Sequence, residues 1–121
     1  MKIDFLADTN FLIYLQEGNS IAEPFIEYNF AVSFITEIEL LGFKGLKKSE
    51  EARLKSLLND CYLIEWNNRI KELTIILKRK YSIKLPDAII AASCQVYNLP
   101  LLTADKGYSK IKELDVFLIE L

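Results

Sequence analysis

Ile3-Asp4-Phe5-Leu6-Ala7-Asp8-Thr9-Asn10, residues 3–10, sets a short apolar run against an acid and two small polar residues. A run that short and apolar reads as a buried strand, closed by Asp8-Thr9-Asn10 as the chain turns into a helix over 11–16. The alternation continues downstream. Gly18-Asn19-Ser20 breaks the first helix, and a further helical turn or two is expected over 21–28. The β-branched and aromatic run 30–35 predicts the second strand. Thr36-Glu37-Ile38-Glu39 has capping-box spacing, which predicts a helix starting at Thr36 and running to about residue 43.

Residues 49–60 read as another helix, with Ala52, Leu54, Leu57 and Leu58 facing inward, and 62–66 as a third strand. Residues 68–80 show helical spacing through Ile70, Leu73, Ile76 and Leu77. Pro86 opens the next helix, 87–98, because proline suits a first helical turn. Leu101-Leu102 is a brief strand ending at Thr103-Ala104-Asp105. A helical turn over 109–114 leads to the last strand, 116–119. Strands alternating with helices predict the α/β class: a three-layer α/β/α sandwich with a mostly parallel central sheet. With no repeat or linker, residues 1–121 are expected to form a single domain.

Composition narrows the chemistry. The chain has no histidine, which removes Ser-His-Asp and Cys-His nucleophile systems and histidine-ligated zinc. Cys61 and Cys94 show neither metal spacing nor a disulfide framework, and are expected to be buried free thiols in a reducing cytoplasm. No apolar run approaches the length of a membrane helix, so no membrane partner is expected. The net charge of −2 supplies no general pull toward polyanions. Bases nevertheless cluster at Lys44, Lys47, Lys48, Arg53 and Lys55, and again at Lys78, Arg79, Lys80 and Lys84. These clusters are either solvated helix faces or grips for a polyanion's backbone.

Four acids carry the functional signal: Asp8, Glu39, Asp87 and Asp105. Each stands where a strand ends or a helix begins, and in an open parallel sheet such points converge on one crevice. Singly, each has an ordinary reading. Asp8 caps a helix with help from Asn10, Glu39 completes a capping box, Asp87 suits a helix dipole, and Asp105 makes a turn. Together they make a different case. Two carboxylates about 4 Å apart repel by roughly 4 kcal/mol at an effective dielectric near 20. Four in one crevice call for protonation or a divalent ion, and oxygen-only ligands suit Mg²⁺ or Mn²⁺. Thr9, Asn10 and Thr103 flank two of the acids and are candidates to orient their oxygens by hydrogen bonds; turn formation explains them as well. Lys106 and Tyr108 lie near, and a solvated role is expected for both.

The chain resembles the PIN domain family, with VapC toxins of prokaryotic toxin–antitoxin pairs as the nearest likeness. The resemblance is carried by Asp8-Thr9-Asn10-Phe11-Leu12-Ile13, by Thr36-Glu37-Ile38-Glu39-Leu40 with Gly42, by Leu85-Pro86-Asp87-Ala88-Ile89-Ile90-Ala91-Ala92, and by Leu102-Thr103-Ala104-Asp105-Lys106. The four stand in the family's order over essentially the whole chain. The resemblance implies a Mg²⁺- or Mn²⁺-dependent endoribonuclease, with Asp8, Glu39, Asp87 and Asp105 as catalytic acids and Asp8, Asp87 and Asp105 as metal ligands. It also implies an RNA substrate, a homodimer, and an antitoxin that inserts a segment into the active-site groove. One position departs: where many relatives carry a further aspartate, this chain has Gly107.

Other classes fit less well. A phosphoacceptor receiver module needs adjacent acids after its first strand, and an aspartyl-nucleophile hydrolase needs a second acid two residues on; Asp8-Thr9-Asn10 supplies neither. A stand-alone PIN nuclease of RNA processing, or a non-catalytic metal- or partner-binding module, remains open.

Overall fold

The computed structural model describes residues 2–120. Five short strands, β1 (Phe5–Ala7), β2 (Phe30–Ser33), β3 (Tyr62–Ile64), β4 (Leu101–Thr103) and β5 (Val116–Leu118), form one sheet. Its order is β3-β2-β1-β4-β5, with every pairing parallel. The helices are α1 (Thr9–Gln16), α2 (Phe34–Leu41), α3 (Lys48–Asn59), α4 (Asn68–Lys80) and α5 (Leu85–Tyr97). Short 3₁₀ turns occupy Glu23–Phe25 and Lys106–Lys110.

Strand side chains alternate between faces, so the central strands β1, β2 and β4 each feed two cores. Leu6, Ala31 and Leu101 point into a cluster with Ile70 and Leu77 of α4 and with Ile90 and Ala91 of α5. Ala7, Val32 and Leu102 point the other way, toward Phe11 and Leu12 of α1 and Leu54 and Leu58 of α3. Helical layers on both faces of a parallel sheet confirm the expected α/β/α sandwich. They also explain why the central strands β1, β2 and β4 are largely apolar on both faces, while the edge strands β3 and β5 leave Tyr62 and Phe117 exposed.

The order β3-β2-β1-β4-β5 winds outward from β1 in one direction and from β4 in the other. The switch point therefore lies between β1 and β4, where open α/β sheets place their ligands. Crossover helices run antiparallel to the strands they join, so α1, α2 and α5 all begin at the carboxyl edge of the sheet. Asp8 follows β1 and Asp105 follows β4 at that same edge.

Several boundaries differ from expectation. The second strand stops at Ser33, whose Oγ accepts the Ile35 N–H and caps α2, so that helix starts at Phe34. Thr36 is thus inside the helix and Glu39 lies in its second turn; the expected capping box does not form there. Only half of such a box forms at α3, where Glu50 accepts the Lys47 N–H at 3.2 Å and the lysine side chain has no acceptor with which to reciprocate. Ala52 of α3 and Ile76 of α4 are exposed, because helix drift carries them off the buried stripe. The expected helix over 21–28 is the Glu23–Phe25 3₁₀ turn with flanking turns, and the turn expected over 109–114 sits earlier, at Lys106–Lys110.

Candidate metal centre

Parallel pairing sets the centre of the site. Ala7 lies in register with Leu102, so the next residues, Asp8 and Thr103, face each other across the switch point. Thr103 Oγ1 donates to Asp8 Oδ2 at 2.5 Å and accepts the Asp105 N–H at 2.9 Å. The other oxygen of Asp8, Oδ1, accepts the Phe11 N–H at 2.8 Å and caps α1. The helix-cap role and the site role therefore coincide in one side chain, which is only 3% exposed. Burial raises the Asp8 carboxyl above its ordinary range. The bonds from Thr103 and the Phe11 N–H pull it down, and the charges of Asp105 and Asp87 push it further up.

The β2 side contributes Glu39. Thr9 Oγ1 donates to Glu39 Oε1 at 2.8 Å and lies 3.0 Å from the buried Thr36 Oγ1. A hydroxyl carries one proton, so Thr36 donates to Thr9 while Thr9 donates to Glu39. The α5 side contributes Asp87 from its first turn, where Pro86 also lies. Tyr108 Oη donates to Asp87 Oδ1 at 3.0 Å. Burial and then the charge of Asp87 hold the Tyr108 phenol far above the usual range, so it stays a donor. Asp105 caps the 3₁₀ turn, its Oδ1 accepting the Gly107 N–H at 2.8 Å.

These groups line one pocket of about 180 Å³: Asp8, Glu39, Asp87 and Asp105 around it, with Thr9, Asn10, Tyr108 and Ile90 completing the wall. All four sequence-selected acids thus share a cavity. Thr9 and Thr103 each donate to an acid across the sheet edge, Thr9 to Glu39 and Thr103 to Asp8. Asn10 lines the pocket, and its side chain makes no hydrogen bond among the described residues. Tyr108 corrects the expectation of a solvated role: it is 4% exposed and positions Asp87. Its signal in the sequence was slight, an aromatic one residue past Gly107.

The donors fit a hard cation. All are oxygens, and Asp8 sits within reach of the charges of two other acids in a buried place that a cation would neutralise. Among the described residues no three acid, histidine or cysteine side chains already close into a coordination cage. Asp8 is fixed by two bonds and Asp87 by Tyr108. Glu39 and Asp105 are exposed, and one oxygen of each is held, by Thr9 and by the Gly107 N–H.

The profile of the PIN domain family matches residues 5–114. The chain belongs to the PIN domain family. Solved structures that resemble it include a toxin–antitoxin complex from Klebsiella pneumoniae, 34% identical, covering 97% of this chain and 98% of that one at a TM-score of 0.83. A VapBC-1 structure from nontypeable Haemophilus influenzae is 24% identical, covers 96% and 98%, and has a TM-score of 0.79. A DNA-bound VapBC from Salmonella typhimurium, 19% identical over 98% and 100%, scores 0.80. The last two show the shared fold of this PIN domain. Comparison with curated protein sequences gives no significant match.

Proposed function

We propose that this PIN domain is a Mg²⁺- or Mn²⁺-dependent endoribonuclease and the toxin of a VapBC-type toxin–antitoxin pair. The observation that carries this reading is the convergence of Asp8, Glu39, Asp87 and Asp105 on one pocket at the switch point of the sheet. Asp8, Asp87 and Asp105 would hold the ion. A bound divalent ion supplies Lewis acidity to a phosphodiester oxygen and lowers the pKa of water.

The remaining chemistry belongs to the chain. Glu39, held by the Thr36–Thr9 relay, would take a proton from the attacking water. Water adds to phosphorus, the P–O3′ bond breaks, and the leaving 3′-oxygen takes up a proton from solvent, to which Glu39 returns the one it removed. The products are a 5′-phosphate and a 3′-hydroxyl. Thr103 and Tyr108 keep Asp8 and Asp87 from rotating away.

The toxin role is supported by the likeness to the Klebsiella pneumoniae toxin–antitoxin complex. An antitoxin bound at the acid groove, a homodimer and a cytoplasmic setting belong to the same proposal. Cys61 and Cys94 are both free, in keeping with a reducing compartment. No helix among the described residues is long and apolar enough to cross a membrane.

The test is cleavage of single-stranded RNA by purified protein with Mg²⁺, with Mn²⁺ and with EDTA, beside the Asp8→Asn variant. Cutting that needs the ion and is lost in Asp8→Asn is expected. Cutting undiminished by EDTA, or products ending in a 2′,3′-cyclic phosphate, would sink the scheme.

A further inference from the structure

A second cavity of about 190 Å³ adjoins the acid pocket and shares Asp87, Asp105 and Tyr108 with it. Its far wall is of opposite character, with Lys84 and Lys110 beside Ser82 and Ile83. Lys110 is anchored: its Nζ donates to the Ser82 carbonyl at 2.7 Å, which holds the ammonium at the rim. The Lys84 ammonium makes no hydrogen bond or ion pair among the described residues, so it is free to meet an anion. Two other members of its sequence cluster are engaged, Lys80 with Glu113 and Lys78 with the Ile83 carbonyl, and Arg79 is not among the residues lining this cavity. The two cavities make a groove that runs from carboxylates to ammonium groups.

We infer that this lysine-walled cavity is a backbone subsite, where Lys84 and Lys110 hold a phosphate neighbouring the scissile one. This inference rests on the nuclease reading above. It gives the substrate a direction through the site: one phosphate at the acids, the next toward Lys84 and away from Glu39. A wall of ammonium groups neutralises a second phosphate without specifying bases. The subsite therefore adds affinity for longer strands and no sequence preference. Lys84 and Lys110 act as positioning residues.

The experiment compares wild type, Lys84→Gln, Lys110→Gln and the control Lys71→Gln, which removes a charge beside Trp66 in a different cavity. Kinetics are read on a dinucleotide, which has only the scissile phosphate, and on a longer oligoribonucleotide. Binding of the longer, fluorescently labelled strand is read by anisotropy in an Asp8→Asn background with Mg²⁺. For Lys84→Gln, KM on the longer strand rises severalfold with kcat kept, and the dinucleotide rate is unchanged. The log–log salt dependence of binding becomes shallower by about 0.7, the value for one lost contact to a single strand.

Lys110→Gln also loses the Ser82 contact, so Lys84→Gln is the deciding variant. Equal losses in Lys71→Gln, or equal losses on the dinucleotide, overturn the subsite. So does binding by Lys84→Gln that matches its parent. Wild-type cleavage of RNA alongside any of these leaves the nuclease assignment standing. The predicted binding pattern in a protein that cuts nothing supports the subsite and sinks the nuclease assignment.

Discussion

At the scale of single residues, the site depends on a few hydroxyls that hold carboxylates still. Thr103→Val removes both the donor to Asp8 and the acceptor of the Asp105 N–H while nearly keeping shape, and metal affinity or activity should fall about 10–100-fold. Tyr108→Phe tests the same idea at Asp87 and should cost about as much. Titration calorimetry with Mn²⁺ and cleavage rates check both; unchanged values would show that these hydroxyls only fill space. The raised Asp8 carboxyl also fixes a pH dependence. Its neutral form is favoured in the fold, so its contribution to stability is complete below its ordinary 3.8 and is lost as pH rises through the raised value. Metal binding needs the carboxylate, so ion affinity should strengthen over the same window. Melting curves with and without Mg²⁺ should diverge as pH climbs above 3.8; curves that converge would contradict this. Cys61, raised by burial and by Asp60 from 9.0 to about 11, adds an alkaline loss of stability between those values.

At the scale of elements, local chemistry decides where helices start and stop. α5 ends at Asn98, which takes a left-handed conformation at φ 53°. Asparagine tolerates that conformation better than a residue with a larger or branched side chain. Asn98→Val should therefore destabilise the protein by about 1–2 kcal/mol, whereas Asn98→Gly should be neutral or better. Denaturant midpoints decide between these outcomes. Leu77 of α4 is fully buried against the sheet, and Leu77→Ala should cost about 2–5 kcal/mol. Most elements were legible because apolar runs and turn residues alternate clearly, and Asn68–Lys80 falls where its spacing put it. The start of α2 was misread because two capping signals overlap: Ser33 captures the Ile35 N–H three residues before Thr36 has its chance. Exposure of Ala52 and Ile76 was invisible for another reason, since sequence spacing marks a stripe without giving its width. The four acids were legible because strand ends in a parallel sheet share one edge. Their hydroxyl partners were only half legible, because which threonine serves which acid depends on strand order, and order is not written in any one segment.

At the scale of the whole molecule, the sheet order turns a dispersed set of acids into a charged pocket. Folding that gathers like charges costs stability, and a ligand bound only by the folded state returns it by mass action. Saturating Mg²⁺ or Mn²⁺ should therefore raise the melting temperature of wild type, and the rise should largely vanish in Asp8→Asn. A non-catalytic module without a metal site would show no rise in either protein. The most direct measurement is a crystal structure of the protein soaked in Mn²⁺, with anomalous diffraction used to locate the ion. The expected result is a strong peak within bonding distance of Asp8, Asp87 and Asp105, with the exposed Asp105 carboxylate drawn inward. A peak elsewhere, or none at a concentration that supports RNA cleavage, would contradict the assignment of these carboxylates as the metal centre.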